Sequence, residues 1–562
     1  MPFTNPIIPG SNPDPSIIRV GKDFFLVTST FEYTPGAPIY HSKDLIKWTL
    51  IGHALTRPSQ LQIQTPEPGG GIWATTLRYH DGWFYILAAS FTRYRPQDDD
   101  RVWPRGFYVR TRDIWDQGSW GDPIWFDMAG FDQDLFWDDD GTVYLSSTYR
   151  KLTRTPTTPP NSLKDFAIHI STINLETGRS TSAPQLIRES ASGVSEGSHI
   201  FKRGKYYYLF TAEGGTESGH CEWVCRSERG PFGPWEVGPR NPLWRNGVHD
   251  EIQNTGHADL VEGEGGEWWV VFLGVRPVER EKGWEGSVFG RETFLTPLEW
   301  TTDGWPIVNK GEKITLQNTS PLLYNHTPPT TWLDNFTSAT LQLGWYRKNT
   351  PPAQDYTLLP EEGILRLHGA PYTLSTPACP TLFLRKQTAR FGVWETSLRF
   401  IPDSSNTEAG TAVYLNYFTW VSVGIRLVPD HQAGGDGEGK RVIRFTASNT
   451  SPESRSSPQS VDFPLSTKTG DVILQIEMGD RYRFGFREVL GASNSDSASA
   501  SESLEGNTQI NWVGEVSNKD IVDAPLPIGA PFTGVMLGLY SIGDREAVLA
   551  DADFKYAQVK EV

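Results

Sequence analysis

Three carboxylic acids and a histidine recur at near-constant spacing in the first part of this chain. Asp14, Asp132, Glu196 and His257 each open a stretch of similar pattern, and a fifth stretch opens at Ala74; successive openings lie 60, 58, 64 and 61 residues apart. Each stretch starts with a small or ionisable residue, passes through a polar turn with glycine and ends in an aromatic-rich run, as in Asp132-Gln-Asp-Leu-Phe-Trp-Asp-Asp-Asp-Gly-Thr-Val-Tyr-Leu. If such units surround an axis, equivalent positions face it, and three acids distant in sequence meet there. Glycosidic hydrolysis uses such a set: one carboxylic acid protonates the leaving oxygen and a second carboxylate serves as base or nucleophile. A third acid nearby helps to keep the first protonated, because like charges raise one another's pKa. A single acid at a strand opening usually caps a turn. Three at equivalent repeat positions exceed what turn capping explains, whereas Asp138, Asp139 and Asp140 sit where a solvated hairpin tip is expected.

The elements that must position these acids read as strands. Strand–turn–strand units at a fixed period suit propeller blades. Segments between the repeats, such as Gly106-Phe-Tyr-Val-Arg and Cys221-Glu-Trp-Val-Cys, are also strand-like, and long helical periodicity is absent. The chain is therefore expected to be all-β: a propeller built on the five repeats over residues 1–318, a Pro/Thr-rich linker at 319–331 and a β-sandwich over 332–562. Alternating strands such as Gly392-Val-Trp-Glu-Thr-Ser-Leu-Arg-Phe carry the second domain. The polar stretches 449–459 and 492–503 read as mobile surface loops.

With 562 residues the chain exceeds a single hydrophobic core. Its formal charge of −16 disfavours nucleic acid and anionic membranes, which select basic patches, and suits a neutral oligosaccharide or polysaccharide. No apolar run is long enough for a membrane span, and Met1-Pro-Phe-Thr-Asn-Pro has no signal-peptide character. Cys221 and Cys225, roughly 13 Å apart on an extended strand at about 3.3 Å per residue, are too distant for a disulfide. The Asn-X-Ser/Thr sequons at Asn318, Asn325, Asn335 and Asn449 leave the compartment open.

The segments Asn5-Pro-Ile-Ile-Pro-Gly-Ser-Asn-Pro-Asp-Pro-Ser-Ile, Gly71-Ile-Trp-Ala, Phe131-Asp-Gln-Asp-Leu-Phe, Glu196-Gly-Ser-His, Gly256-His-Ala-Asp-Leu-Val and Gly290-Arg-Glu-Thr resemble glycoside hydrolase family 43, in its two-domain β-xylosidase and α-L-arabinofuranosidase members. The resemblance implies a five-bladed β-propeller followed by a concanavalin-like β-sandwich, and an inverting enzyme with Asp14 as general base, Glu196 as general acid and Asp132 raising the pKa of Glu196. It implies that Arg291 reaches the sugar and that Phe31, Trp73 and Phe131 wall the pocket. Ala74 leaves room beside Trp73, and Phe532 is a candidate ring from the second domain closing the pocket. His257 would lie near the axis, bonding waters or ligating a calcium ion; no other cofactor is required.

The activity expected is exo-acting release of L-arabinose, D-xylose or both from arabinoxylan or its oligosaccharides. Two departures from the family pattern, Gln133-Asp134 in place of Pro-Ser and Gly197-Ser198 in place of Gly-Pro, suggest a reshaped subsite and favour arabinose. The rivals are an endo-acting arabinanase and a carbohydrate-binding propeller without catalysis.

Overall fold

The computed structural model describes residues 2–92, 104–151, 165–280, 283–319, 331–429, 439–489 and 509–561. Most of the expected linker, the stretch 492–503 and Asn325 lie outside the described residues. The chain divides into two compact units, Met1–His326 with Pro527–Thr533, and Thr327–Leu526 with Gly534–Val562. Among the described residues the helical pieces are short, Asn518–Val522 and two single turns. Cys221, Cys225 and Cys379 are buried free thiols.

Among the described residues the first unit contains five antiparallel sheets of four or five strands, besides short two-stranded pairs. The innermost strand of each is one of the repeats: Ser16–Val20, Gly71–His80, Phe131–Trp137, Ser195–Arg203 and Gln253–Glu262. These five strands neighbour one another in cyclic order, the last returning to the first. The apolar seams run the same way. Phe25 and Ile39 pack with Ile72 and Ile86; Tyr85 and Leu87 pack with Leu135 and Leu145; Ile170 packs with Ile200 and Leu209. Phe210 then meets Leu260 and Trp300, and Val261 and Val271 close on Leu26 and Tyr40. Strands buried on both faces read as continuous apolar runs, which is why Trp83–Phe91 lacks clean alternation. The chain start is stitched to the fifth sheet, with Asn5 bonding Leu295 through both side-chain amide atoms and Ile8 bridging Thr293.

Each inner strand breaks register at the same place. Pairing jumps from Trp73↔Ala89 to Thr76↔Leu87, from Phe131↔Thr148 to Asp134↔Ser146, from Glu196↔Ala212 to His199↔Phe210 and from Gly256↔Leu273 to Asp259↔Val271. The first sheet does likewise between Pro13, whose carbonyl accepts from Ser29 N–H, and the pair Ser16↔Val27. This is a bulge with two residues on one strand facing one on the other. The first bulged residue is left-handed in every case: Asp14 (φ 54°), Ala74 (33°), Asp132 (52°), Gly197 (59°) and His257 (54°). The equivalence expected of Glu196 is therefore corrected by one residue. Gly197 holds the fourth bulge position, and Glu196 is equivalent to Pro13, Trp73, Phe131 and Gly256.

The second unit pairs Thr381–Lys386, Met536–Gly543, Thr407–Tyr414, Trp420–Val428, Lys440–Ser448 and Gln459–Pro464 in one sheet. A second sheet is centred on Gly392–Arg399 between Ala552–Glu561 and Val472–Met478. Trp394, fully buried, crosses between the sheets and donates its indole N–H to Thr411 Oγ1 at 2.8 Å. The stretch 449–459 lies largely at the surface, as expected of a loop. Its serines make a closed turn, Ser451 N–H donating to the buried Ser454 Oγ at 2.9 Å, and Asn449 Nδ2 bonds Thr419 and the Pro525 carbonyl. The serine hydroxyls satisfy the turn's own backbone.

Gly197 is fixed by both conformation and space, since a Cβ there would lie 3.0 Å from the His257 ring. Gly197→Ala is expected to lower unfolding free energy by about 1–2 kcal/mol from the left-handed backbone alone, measured by urea denaturation. A wild-type midpoint in that variant would contradict the assigned geometry.

Candidate active site

A pocket of about 450 Å³ in the first unit is lined by all ten residues singled out in the sequence: Asp14, Phe31, Trp73, Ala74, Phe131, Asp132, Glu196, His257, Arg291 and Phe532. The bulges explain the convergence. A left-handed residue re-aims its side chain, and Asp14, Ala74, Asp132 and His257 are all of this kind. In the fourth repeat the bulge residue has no side chain, and Glu196 reaches the pocket from the preceding position.

The acids are buried, Asp14 at 5%, Asp132 at 6% and Glu196 at 9% exposure, yet their surroundings differ. Asp14 Oδ1 accepts from Arg291 Nη1 at 3.2 Å and lies 3.5 Å from His257 Nδ1. Asp132 Oδ2 accepts from the Gly197 N–H at 2.9 Å. Burial first, then the charges of Glu196 and Asp14, push the Asp132 carboxyl well above the usual range. Burial, then the charge of Asp14, pushes Glu196 up to about 7, with Arg291 opposing. The Asp132–Glu196 pair therefore holds a proton near neutrality. Asp132 is fixed as an acceptor, whereas no hydrogen bond to the Glu196 carboxyl is found among the described residues, so Glu196 is the freer member to donate outward.

Arg291 is held by more than its acid. Its Nε and Nη2 donate to the Phe532 carbonyl at 3.4 Å, and its guanidinium lies over the Phe31 and Phe532 rings at 5.2 and 4.9 Å. The ring wall is continuous: Phe31 packs on Phe532 at 5.3 Å, and Trp73 meets Phe91, Phe131 and Phe532 at 4.4, 5.6 and 6.1 Å. Trp73 Nε1 is anchored on the Gly69 carbonyl at 2.7 Å. Phe532 belongs to the first compact unit together with Pro527–Thr533, not to the sandwich unit from which it was expected. Ala530 N–H donates to the Pro68 carbonyl at 3.0 Å, and Gly529 (φ 82°) allows the backbones to approach.

Burial lowers His257 to about 4, against the pull of Asp14, so its ring is neutral over the working range. Among the described residues no group of three His, Cys, Asp or Glu side chains is placed to hold an ion; a calcium ion held by His257 would draw the rest of its six to eight oxygen ligands from water. The family departures also fall elsewhere than expected, for none of Gln133, Asp134 and Ser198 lines the pocket. Gln133 is buried against Ser147, Ser198 bonds Ser146, and Asp134 turns to Arg78. The lining residues unforeseen in the sequence include Glu67, Phe91, Phe166 and the stretch Gly214–Glu217. The run Pro68-Gly-Gly-Gly, which carries Trp73's anchor, was the available signal for the Glu67 loop.

Glycoside hydrolysis demands a carboxyl that keeps its proton close to a carboxylate that does not, beside flat rings on which a sugar can stack. This pocket supplies both, and the class it defines is that of the glycoside hydrolases. The comparisons agree. The family model described as Glycosyl hydrolases family 43 matches residues 3–306, and that of the Beta xylosidase C-terminal Concanavalin A-like domain matches 333–560. The chain belongs to glycosyl hydrolase family 43. It is 35% identical over 564 residues to a non-reducing end alpha-L-arabinofuranosidase of Bacteroides ovatus, spanning 99% of this chain and 94% of the relative. It is 30% identical over 586 residues to a beta-xylosidase of Bacillus subtilis, spanning 100% of each. The solved structure of a xylan beta-1,4-xylosidase from Bacillus halodurans covers 100% of both chains with a TM-score of 0.84 at 28% identity. That of Bacteroides ovatus xyloglucan PUL GH43B does so at 0.83 and 32%.

A carboxyl whose pKa is raised on folding favours the fold below its ordinary value, and that contribution is lost as pH rises through the raised value. For Glu196 the window runs from about 4.5 to about 7, and ionising it in place costs on the order of 3 kcal/mol. Glu196→Gln is thus expected to gain stability relative to wild type between pH 5 and pH 8, by about 2 kcal/mol. Parallel denaturation curves at the two pH values would show that Glu196 is not so perturbed.

Proposed function

We propose that this enzyme is an exo-acting, inverting glycosidase that releases L-arabinose, D-xylose or both from arabinoxylan or its oligosaccharides. The observation that carries the reading is the pocket itself, with two carboxyls sharing a proton opposite an arginine-paired carboxylate. Asp14, held by Arg291, is the base that draws a proton from water as it attacks the anomeric carbon. Glu196 protonates the departing glycosidic oxygen. Asp132, anchored on Gly197 N–H, keeps the proton within the pair and fixes the backbone from which Glu196 projects. Arg291 presents the remaining donors of its fork to sugar hydroxyls. Inversion needs room for water between base and acid, about 6.5–9.5 Å. We read the ring of five sheets as a five-bladed propeller whose inner bulges build this layer.

The ring wall closed by Phe532 favours a chain end over an internal segment, which supports exo over endo cleavage. The departures at Gln133-Asp134 and Ser198 give no support to arabinose over xylose, because they face away from the sugar. The similarity to the Bacteroides ovatus arabinofuranosidase supports arabinose and that to the Bacillus subtilis xylosidase supports xylose.

Paired nitrophenyl α-L-arabinofuranoside and β-D-xyloside, followed by a branched arabinoxylan oligosaccharide, are expected to yield monosaccharide only. Internal cleavage products would refute the exo assignment. Activity is expected to fall as pH rises past about 7, where Glu196 loses its proton. Asp14→Asn and Glu196→Gln should each lower kcat by about 100-fold or more while sugar binding, followed by calorimetry, persists. Undiminished turnover in either variant would remove it from its role.

A further inference from the structure

Beside the acid layer, two residues further along each inner strand, lies a second set of side chains that the chemistry above does not use. These positions are Ser16, Thr76, Asp134, His199 and Asp259, each two beyond a bulge residue. Into their midst runs Arg78, from the second sheet. Its Nε lies 2.7 Å from Asp134 Oδ1 in the third sheet, and its Nη2 lies 2.8 Å from His199 Nδ1 in the fourth. Its Nη1 donates to Asp259 Oδ2 in the fifth sheet at 2.7 Å and to Ser16 Oγ in the first at 3.2 Å. One guanidinium thus meets a residue from each of the other four sheets, Asp134 by an ion pair and the other three by hydrogen bonds.

The partners are built for it. Asp134, Asp259, His199 and Ser16 are all at most 5% exposed. Ser16 Oγ donates onward to Asp259 Oδ2 at 2.6 Å. The second oxygen of Asp134 accepts the Ile200 N–H at 3.1 Å, and Asp259 accepts the Ile17 and Leu260 N–H groups at 3.1 and 2.9 Å. A guanidinium can only donate, so His199 Nδ1 is the unprotonated nitrogen and the ring is neutral. Asp134 and Asp259 are buried carboxylates that would otherwise require a bound cation.

We propose that Arg78 is the resident cation of this buried cluster. It does from within the chain what a divalent ion at the axis would do, balancing the buried carboxylates and drawing five sheets to one point. Closure of the ring accordingly does not depend on a metal. The planar fork is essential, because a lysine offers one point charge and cannot address four directions at once.

Thermal unfolding of the full-length protein tests this. Wild type treated with EDTA and then given millimolar calcium, magnesium or manganese chloride is expected to melt at an unchanged temperature. A saturable rise with any of these ions would overturn the proposal. Arg78→Met is expected to melt lower by about 5 °C or more, and Arg78→Lys to recover only part of the loss. Millimolar methylguanidinium should raise the melting temperature of Arg78→Ala but not that of wild type, a response that loss of packing alone would not give. A wild-type melting temperature in Arg78→Met, or equal recovery by lysine, would also overturn it. If the Met and Ala variants do not fold, the lysine variant and the ion series on wild type decide.

Discussion

The first unit depends on one backbone constraint repeated five times: a residue forced into left-handed conformation where the innermost strand of each sheet breaks register. Four of the five residues are not glycine, so each holds a conformation that costs of order 1 kcal/mol or more. The sheets on either side determine the bend, and the apolar seams between neighbouring sheets sustain it. The bend lets side chains leave the alternating geometry of a strand and meet in one pocket. Where glycine takes the bulge, the acid comes from the preceding residue, so the three carboxyls enter from two kinds of backbone position. Asp14 is left beside a guanidinium while Asp132 and Glu196 are left to share a proton.

This backbone break also separates two layers of charge. On the pocket side, acids outnumber the single Arg291 and one of them stays protonated. Two residues along, Asp134 and Asp259 pair with Arg78, and that guanidinium holds Asp259 down at about 2 despite its burial. The same residue type is thus tuned in opposite directions at Asp132 and Asp259. The deciding difference is whether the nearest strong charge is another carboxylate or a guanidinium.

Much of this was legible in the sequence. The near-60-residue period and the acids that open the repeats follow from residue type and spacing, and the rings of the wall from the family resemblance. The one-residue offset at Glu196 was not, because a strand pattern carries no mark of a bulge unless Gly197 is weighed as the left-handed residue. Arg78 and Asp134 were missed for a different reason. A charged residue in a strand ordinarily faces solvent, and only the closing of the ring turns these inward. Gln133 follows Asp132 directly and points to the opposite face of the strand, whereas Ser198 is turned away from Glu196 by the bulge at Gly197.

Phe532 gives the first unit an unusual dependence on the far end of the chain. Its carbonyl holds Arg291 and its ring completes the wall, yet about two hundred residues of the second unit are made between His326 and Pro527. All five sheets precede Phe532 in the order of synthesis, and most of the second unit lies between them and the residue that completes the wall. The two units are therefore not separable modules in heredity: a recombination event that exchanged the second for an unrelated domain would also remove a piece of the active site.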